Sequence, residues 1–314
     1  MSPTKVYVLT ITLTLFNAAA AAPIESPIQL DRDGVIKGSL ILPDGVAQPP
    51  VVLLIAGSGP TDRDGNGPNL HNDSLRQLAQ ALAAAGVASV RYDKRGVAAS
   101  APAGGAEQDL RFEHYVDDAA AWVRLLKQDK RFTKTIVVGH SEGALIGTLA
   151  ASASGADGVV LLAGPAQRAS TALRVQLAGK LPPNLATDNE RVLASLENGR
   201  QASEVPAELA ALYRPSVQPY LMSWFRYDPA REFGRLKVPA AVIQGSSDLQ
   251  VGIGDAFALQ QAKPGTALVV VPGMNHVLKM ARGDMQAQAR SYAAPDTPLS
   301  PTLVPAMVRF IGTH

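Results

Sequence analysis

The sequence predicts an α/β fold, with a mostly parallel central sheet, helices on both faces and a helical cap insertion. Three observations predict it. Short β-branched runs alternate with helix-patterned stretches along most of the chain. Several of those runs are apolar throughout, as strands buried on both faces must be. The alternation breaks between about residues 167 and 236, where prolines punctuate short helical patterns.

The elements follow in order. Lys5 is the first charged side chain, and residues 6–16 are apolar apart from three threonines. Ala18 to Ala22 is an unbroken run of small residues. This pattern predicts a secretory signal over residues 1–21 and a periplasmic or secreted mature chain over 22–314. Its apolar stretch is shorter than the ~20 residues a membrane-spanning helix needs. No later apolar run is long enough either, so the mature chain is expected to span no membrane.

Residues 28–30 and 36–42 read as an antiparallel pair at one sheet edge. Residues 51–55 (VVLLI) read as a buried strand that ends at the Gly57-Ser58-Gly59-Pro60 turn. Asp73 or Ser74 can cap a helix bearing Leu75, Leu78, Leu82 and Ala85 on one face, with Gly86 as its stop. Further strands are expected at 87–92, 135–138, 158–162, 240–244 and 268–271. Residues 112–127 carry a helical stripe of Val116, Ala119, Ala120, Val123 and Leu126, and 142–151 reads as a small-residue helix. In the insertion, Thr187 and Glu190 fit a capping box, Gly199 is a stop signal, and Val192, Leu193 and Leu196 share a face.

Composition narrows the function classes. The chain has 18% charged and 46% apolar or aromatic residues, which excludes wholesale disorder. Lys plus Arg is 29 and Asp plus Glu is 27, a net charge of +2, and no basic run marks a nucleic-acid surface. Cysteine is absent, which excludes disulfides, thiolate zinc sites and a cysteine nucleophile.

Gly139-His140-Ser141-Glu142-Gly143 matches G-x-S-x-G, between an apolar strand and a helix. A sharp strand-to-helix turn there pushes the serine oxygen out of the sheet, and flanking glycines leave room for it. A serine needs a base. The histidines are 71, 114, 140, 276 and 314. His276 follows the last strand by a few residues, on the edge where catalytic groups gather. Asp248 follows the strand at 240–244 in the same way; Asp255, its rival, falls where a helix should have begun. Ser141, Asp248 and His276 therefore stand in the order nucleophile, acid, base.

With these residues the chain resembles the α/β-hydrolase family, and more narrowly its bacterial serine carboxylesterases. Gly57 to Asn66, Arg91 to Gly96, the serine elbow, Gly245 to Val251 and the His276 loop carry the resemblance. Val97-Ala98-Ala99-Ser100 departs from it, where a further glycine is expected. The resemblance implies an oxyanion hole made by the backbone N–H groups of Ser58 and Glu142, with Gly59 a neighbour of the first. The implied reaction is ester hydrolysis through an acyl-enzyme, on a small-molecule ester, with no metal and no organic cofactor.

Other readings stand beside it. Peptide or amide cleavage and thioester hydrolysis use the same groups, and a non-enzymatic module of this fold would be expected to have lost a triad residue. Serine at 141 excludes an aspartate nucleophile. Asp62, Asp64, Asn66, Gly67 and Asp73 approach a calcium-loop spacing, but a strand precedes them and Asn69 stands where an apolar residue is usual. Tyr213, Tyr220, Trp224, Phe225, Tyr227 and Phe233 pack the cap or wall a pocket; Trp224 and Tyr227, with Gly59 and His140, are pocket candidates. Glu142's side chain is expected to point along its helix to solvent.

Overall fold

The computed structural model describes residues 24–68, 70–281 and 285–314, so the expected leader at 1–21 lies outside it. The described residues form eight strands: β1 (Ile24–Asp31), β2 (Val35–Leu42), β3 (Val51–Ile55), β4 (Ala88–Tyr92), β5 (Thr135–His140), β6 (Gly158–Leu162), β7 (Ala240–Gly245) and β8 (Ala267–Val271). They make one sheet in the order β1-β2-β4-β3-β5-β6-β7-β8. The β1/β2 and β2/β4 pairs are antiparallel and the rest parallel. All five residues of β3 are buried. Val51, Leu53 and Ile55 enter the core on one face, Val52 and Leu54 the core on the other. Each such side chain contributes about 1.5–3 kcal/mol by leaving water.

Helices cover both faces. Helices α1 (Ser74–Ala84) and, at the C-terminus, Leu303–Thr313 share one core. Helices α2 (Phe112–Gln128) and α3 (Glu142–Ser154) pack on the other face. Between β6 and β7 the chain forms α4 (Ala169–Leu177), α5 (Pro183–Glu197), α6 (Ala210–Tyr213), α7 (Gln218–Phe225) and α8 (Pro229–Gly234). Val192, Leu193, Leu196, Tyr213, Tyr220 and Phe225 bury themselves against the same core as α2 and α3. Helix α9 (Ile253–Ala262) follows β7. No helix among the described residues is long and apolar enough to cross a membrane.

Two local expectations are corrected. Helix α5 begins at Pro183, not at Thr187, because proline at a first helical position has its φ preset and lacks only a donor the helix would leave unused. Thr187 Oγ1 instead bonds back to the Pro183 carbonyl at 3.1 Å, and Glu190 pairs with Arg174 at 2.8 Å. Helix α1 has no side-chain cap from Asp73, whose φ is 52°. The Asp64 carbonyl accepts from Leu75 N at 3.1 Å, and Asn72 Oδ1 from Ser74 N at 3.0 Å. Ala98 adopts φ 42° in the stretch where a further glycine is expected, so the turn is made there at a cost in strain.

Candidate active site

Strand β5 delivers its last residue, His140, into a turn that leaves Ser141 at φ 55°, ψ −119° before α3 begins. A non-glycine residue there costs of order 1–3 kcal/mol and persists only where its surroundings enforce it. Ser141 N donates to the Leu162 carbonyl at the end of β6, at 2.9 Å. Both flanking glycines are required by close approach. A Cβ on Gly139 would lie 2.0 Å from the Gly143 carbonyl oxygen, and one on Gly143 would lie 2.4 Å from that of Ile55.

Asp248 and His276 meet from the loops after β7 and β8. His276 Nδ1 donates to Asp248 Oδ2 at 2.8 Å, and the two side chains are 6% and 0% exposed. The carboxylate is fixed by three further donors. Oδ2 accepts from Gln244 Nε2 at 3.1 Å, and Oδ1 from the backbone N–H groups of Gln250 and Val251 at 2.8 and 3.0 Å. Burial pushes the Asp248 carboxyl up, but the His276 hydrogen bond and charge and the two backbone donors outweigh it and hold it below its ordinary value. The His276 loop is itself a tight turn. Asn275, fully buried, accepts from Lys279 N at 3.0 Å and donates to Ser291 Oγ at 2.7 Å, and Leu278 has φ 64°. Asp255, the rival acid, lies inside α9 and accepts from Ala166 N at 2.9 Å, far from this pair in role.

Ser141 opens on a cavity of about 330 Å³. Ser58, Gly59 and Glu142 line its floor beside the serine; Ala169, Leu173, Leu212, Val217, Leu221 and Trp224 line its walls. A second chamber of about 270 Å³ adjoins it, sharing Gly59, Pro60, Arg214, Val217 and Tyr220. Ser58 and Glu142 are thus placed where backbone N–H groups can meet an oxyanion. The first N–H groups of a helix have no partner inside it, which leaves that of Glu142, first in α3, free to serve.

Among the pocket candidates, Gly59 and Trp224 line the cavity and two do not. His140 is buried, its Nε2 donating to the His276 carbonyl at 2.8 Å and its ring 4.8 Å from that of His276. Burial, then the neighbouring His276 charge, push it down to about 4, so the ring is neutral and links the end of β5 to the His276 loop. Tyr227 turns away because Glu113 Oε1 accepts its hydroxyl at 2.9 Å and Phe112 packs on its ring. Glu142's side chain is also corrected: it is buried, not solvated. Lys94 Nζ lies 3.2 Å from Glu142 Oε2, and the Tyr220 hydroxyl donates to Oε1. In the calcium-like segment one carboxylate oxygen each of Asp62, Asp64 and Asp73 accepts from a protein donor. Asp62 Oδ1 takes the N–H groups of Asp64 and Asn66, Arg91 takes Asp64, and Asn66 Nδ2 takes Asp73. Arg63 pairs with Asp93 at 2.6 Å and ties this loop to the end of β4.

A family model described as "Serine aminopeptidase, S33" matches residues 66–280, more than half of the chain. The chain belongs to this family. It is 30% identical over 253 residues to Esterase EstD of Thermotoga maritima, an alignment that covers 79% of this chain and 59% of that protein. The chain therefore spans well under two thirds of the length of that curated relative. The structure of Est1E from Butyrivibrio proteoclasticus with ferulic acid bound is similar, with a TM-score of 0.60 and 18% identity, covering 91% of this chain and 99% of that one. So is that of the α/β hydrolase GrgF from Penicillium sp. sh18, with a TM-score of 0.59 and 17% identity over 93% and 99% of the two chains. The fold of this S33 family member is the α/β-hydrolase fold.

Sequence reasoning does not single out Lys94 or Gln244, and it names Tyr220, which does line the cavity, only within the aromatic cluster. For Lys94 the available signal is its place two residues past the end of a strand, inside the stretch that resembles the family.

Proposed function

We propose that this chain is a serine hydrolase of carboxylic esters, exported by its leader and acting on small molecules. In this reading His276 Nε2 takes the proton of Ser141 Oγ as that oxygen attacks the ester carbonyl. Asp248 keeps the proton on Nδ1 and stabilises the imidazolium. The N–H groups of Ser58 and Glu142 stabilise the tetrahedral oxyanion. His276 then protonates the departing alcohol, and water repeats the sequence on the acyl-enzyme.

The observation that carries the reading is the Ser141 elbow opening on a largely apolar cavity, with the Asp248–His276 pair packed against His140, the residue before Ser141. The relative named an esterase supports ester chemistry. The family's description names aminopeptidases, which makes peptide cleavage the second reading. An aminopeptidase must hold a free ammonium, and a carboxylate in the site is the usual means. Among the described residues Glu142 is the one carboxylate lining the Ser141 cavity, and Lys94 and Tyr220 already occupy both its oxygens. This favours esters. A cavity of about 330 Å³ is also near the lower end of the ~300–1,000 Å³ usual for ligand pockets, which favours short acyl groups. Rates on p-nitrophenyl esters of rising acyl length, run beside aminoacyl p-nitroanilides, test the proposal. Faster turnover of the anilides would overturn it.

A further inference from the structure

Lys94 lies just past β4 and is 1% exposed, yet it is not part of the acyl-transfer chemistry. A buried ammonium is costly unless every donor finds a partner. Lys94 Nζ donates to the Gly57 carbonyl and to Glu142 Oε2, and it stands 5.1 Å from the centre of the Tyr115 ring. The first two partners have a common property. Each belongs to one half of the oxyanion hole described above.

Gly57 C=O and Ser58 N–H are two ends of one planar peptide. In a trans peptide they point in opposite directions. A cation that fixes the carbonyl therefore fixes the direction of the Ser58 N–H, and by polarising the peptide makes it a stronger donor. Glu142 supplies the other N–H, and its side chain is held by the same ammonium. Without that ammonium, a buried carboxylate would sit beside the position where negative charge develops. Tyr220, from α7, donates to the second oxygen of Glu142 and so joins the segment between β6 and β7 to this arrangement.

We propose that Lys94 is the positioning residue of the oxyanion hole: through Gly57 and Glu142 it aims both backbone donors and neutralises the carboxylate next to them. The inference rests on the ester-hydrolase reading, which gives Lys94 no part in the acyl transfer.

Lys94→Met leaves Glu142 buried without its cation and can fail by unfolding. Lys94→Met/Glu142→Gln removes both charges together, and the glutamine carbonyl can still accept from Tyr220. The paired variant and the wild type should both melt cooperatively. Its kcat on a short ester should fall by about 10- to 100-fold, less than the ~10²–10³ seen when a hole donor is removed outright. KM should change by less than about threefold, because the donors act on the transition state. Affinity for a trifluoromethyl ketone, whose serine adduct carries an oxyanion, should fall by about the same factor as kcat/KM. The acid limb of the pH profile should stay in place, since His276 is untouched. A folded paired variant with kcat within about twofold of wild type would overturn the inference and leave the ester reading standing. A wild type with no Ser141-dependent ester turnover would overturn both.

Discussion

Lowering the pH from 7.5 to 5 should destabilise the fold through His140, a group that need not take part in the chemistry. Its ordinary value is 6.5 and the folded protein pushes it down to about 4, chiefly by burial. In the unfolded chain it takes a proton near 6.5; in the folded protein it does not until about 4. Between those limits the unfolded state binds more protons, so stability is intact above pH 6.5 and is lost as pH falls. Each unit is worth about 1.4 kcal/mol, so pH 5 costs about 2 kcal/mol, approaching about 3 kcal/mol near pH 4. Asp248 is shifted in the same downward sense, but its lowered carboxyl loses its contribution only as pH falls below 3.8, outside this window. The assay is urea unfolding at several pH values, for wild type and for His140→Gln, which can still donate to the His276 carbonyl but does not titrate. The wild-type curve should fall below the variant's by about 2 kcal/mol between pH 7.5 and 5. Parallel curves would show that the buried, neutral imidazole is misassigned.

Other outcomes follow from the site. Asp248→Asn should keep the fold and lose about 10⁴ in kcat, because an amide favours the wrong imidazole tautomer. Asp255→Asn should change little, since an asparagine oxygen can still accept from Ala166 N; the reverse ranking in steady-state rates would displace Asp248 as the acid. Trp224→Ala should shift the acyl-length profile toward longer chains within an overall preference of roughly two to eight carbons, as this ring walls the cavity. A jump in rate at the micelle threshold of a long-chain glyceride would contradict that. EDTA should leave the rate unchanged; inhibition reversed by calcium would restore a metal role to the Asp62–Asp73 loop.

Local patterns in the sequence held the sheet and the elbow; long-range pairings did not show there. Runs such as VVLLI announce β3 because a strand buried on both faces has no polar position to fill. Strand β1 extends to Ile24–Asp31, beyond the expected 28–30, because an exposed edge strand needs no apolar alternation and tolerates Pro27. The placement of Ser141, Asp248 and His276 just past strand ends was legible, Ser141 from its G-x-S-x-G pattern and the other two from the strands they follow. The burial of Glu142 was not, for it depends on Lys94 and Tyr220, distant in sequence and joined only by folding. Thr187 shows the converse: a sound local signal overridden by Pro183 one turn earlier. His140 and Tyr227 carry polar tips that could have met substrate, and only their partners, the His276 carbonyl and Glu113, decide otherwise.

The central claim is that Ser141 is the nucleophile of an ester hydrolase served by His276 and Asp248. Its most direct test is intact-protein and peptide mass spectrometry after treatment with a fluorophosphonate, read beside ester turnover in Ser141→Ala. One phosphonate should attach, on the peptide bearing Ser141, with turnover abolished in parallel. The folded Ser141→Ala protein should take no label and lose about 10⁶ in kcat, the scale seen when a serine hydrolase loses its nucleophile. Label on another serine, or wild-type-like turnover in folded Ser141→Ala, would contradict the account.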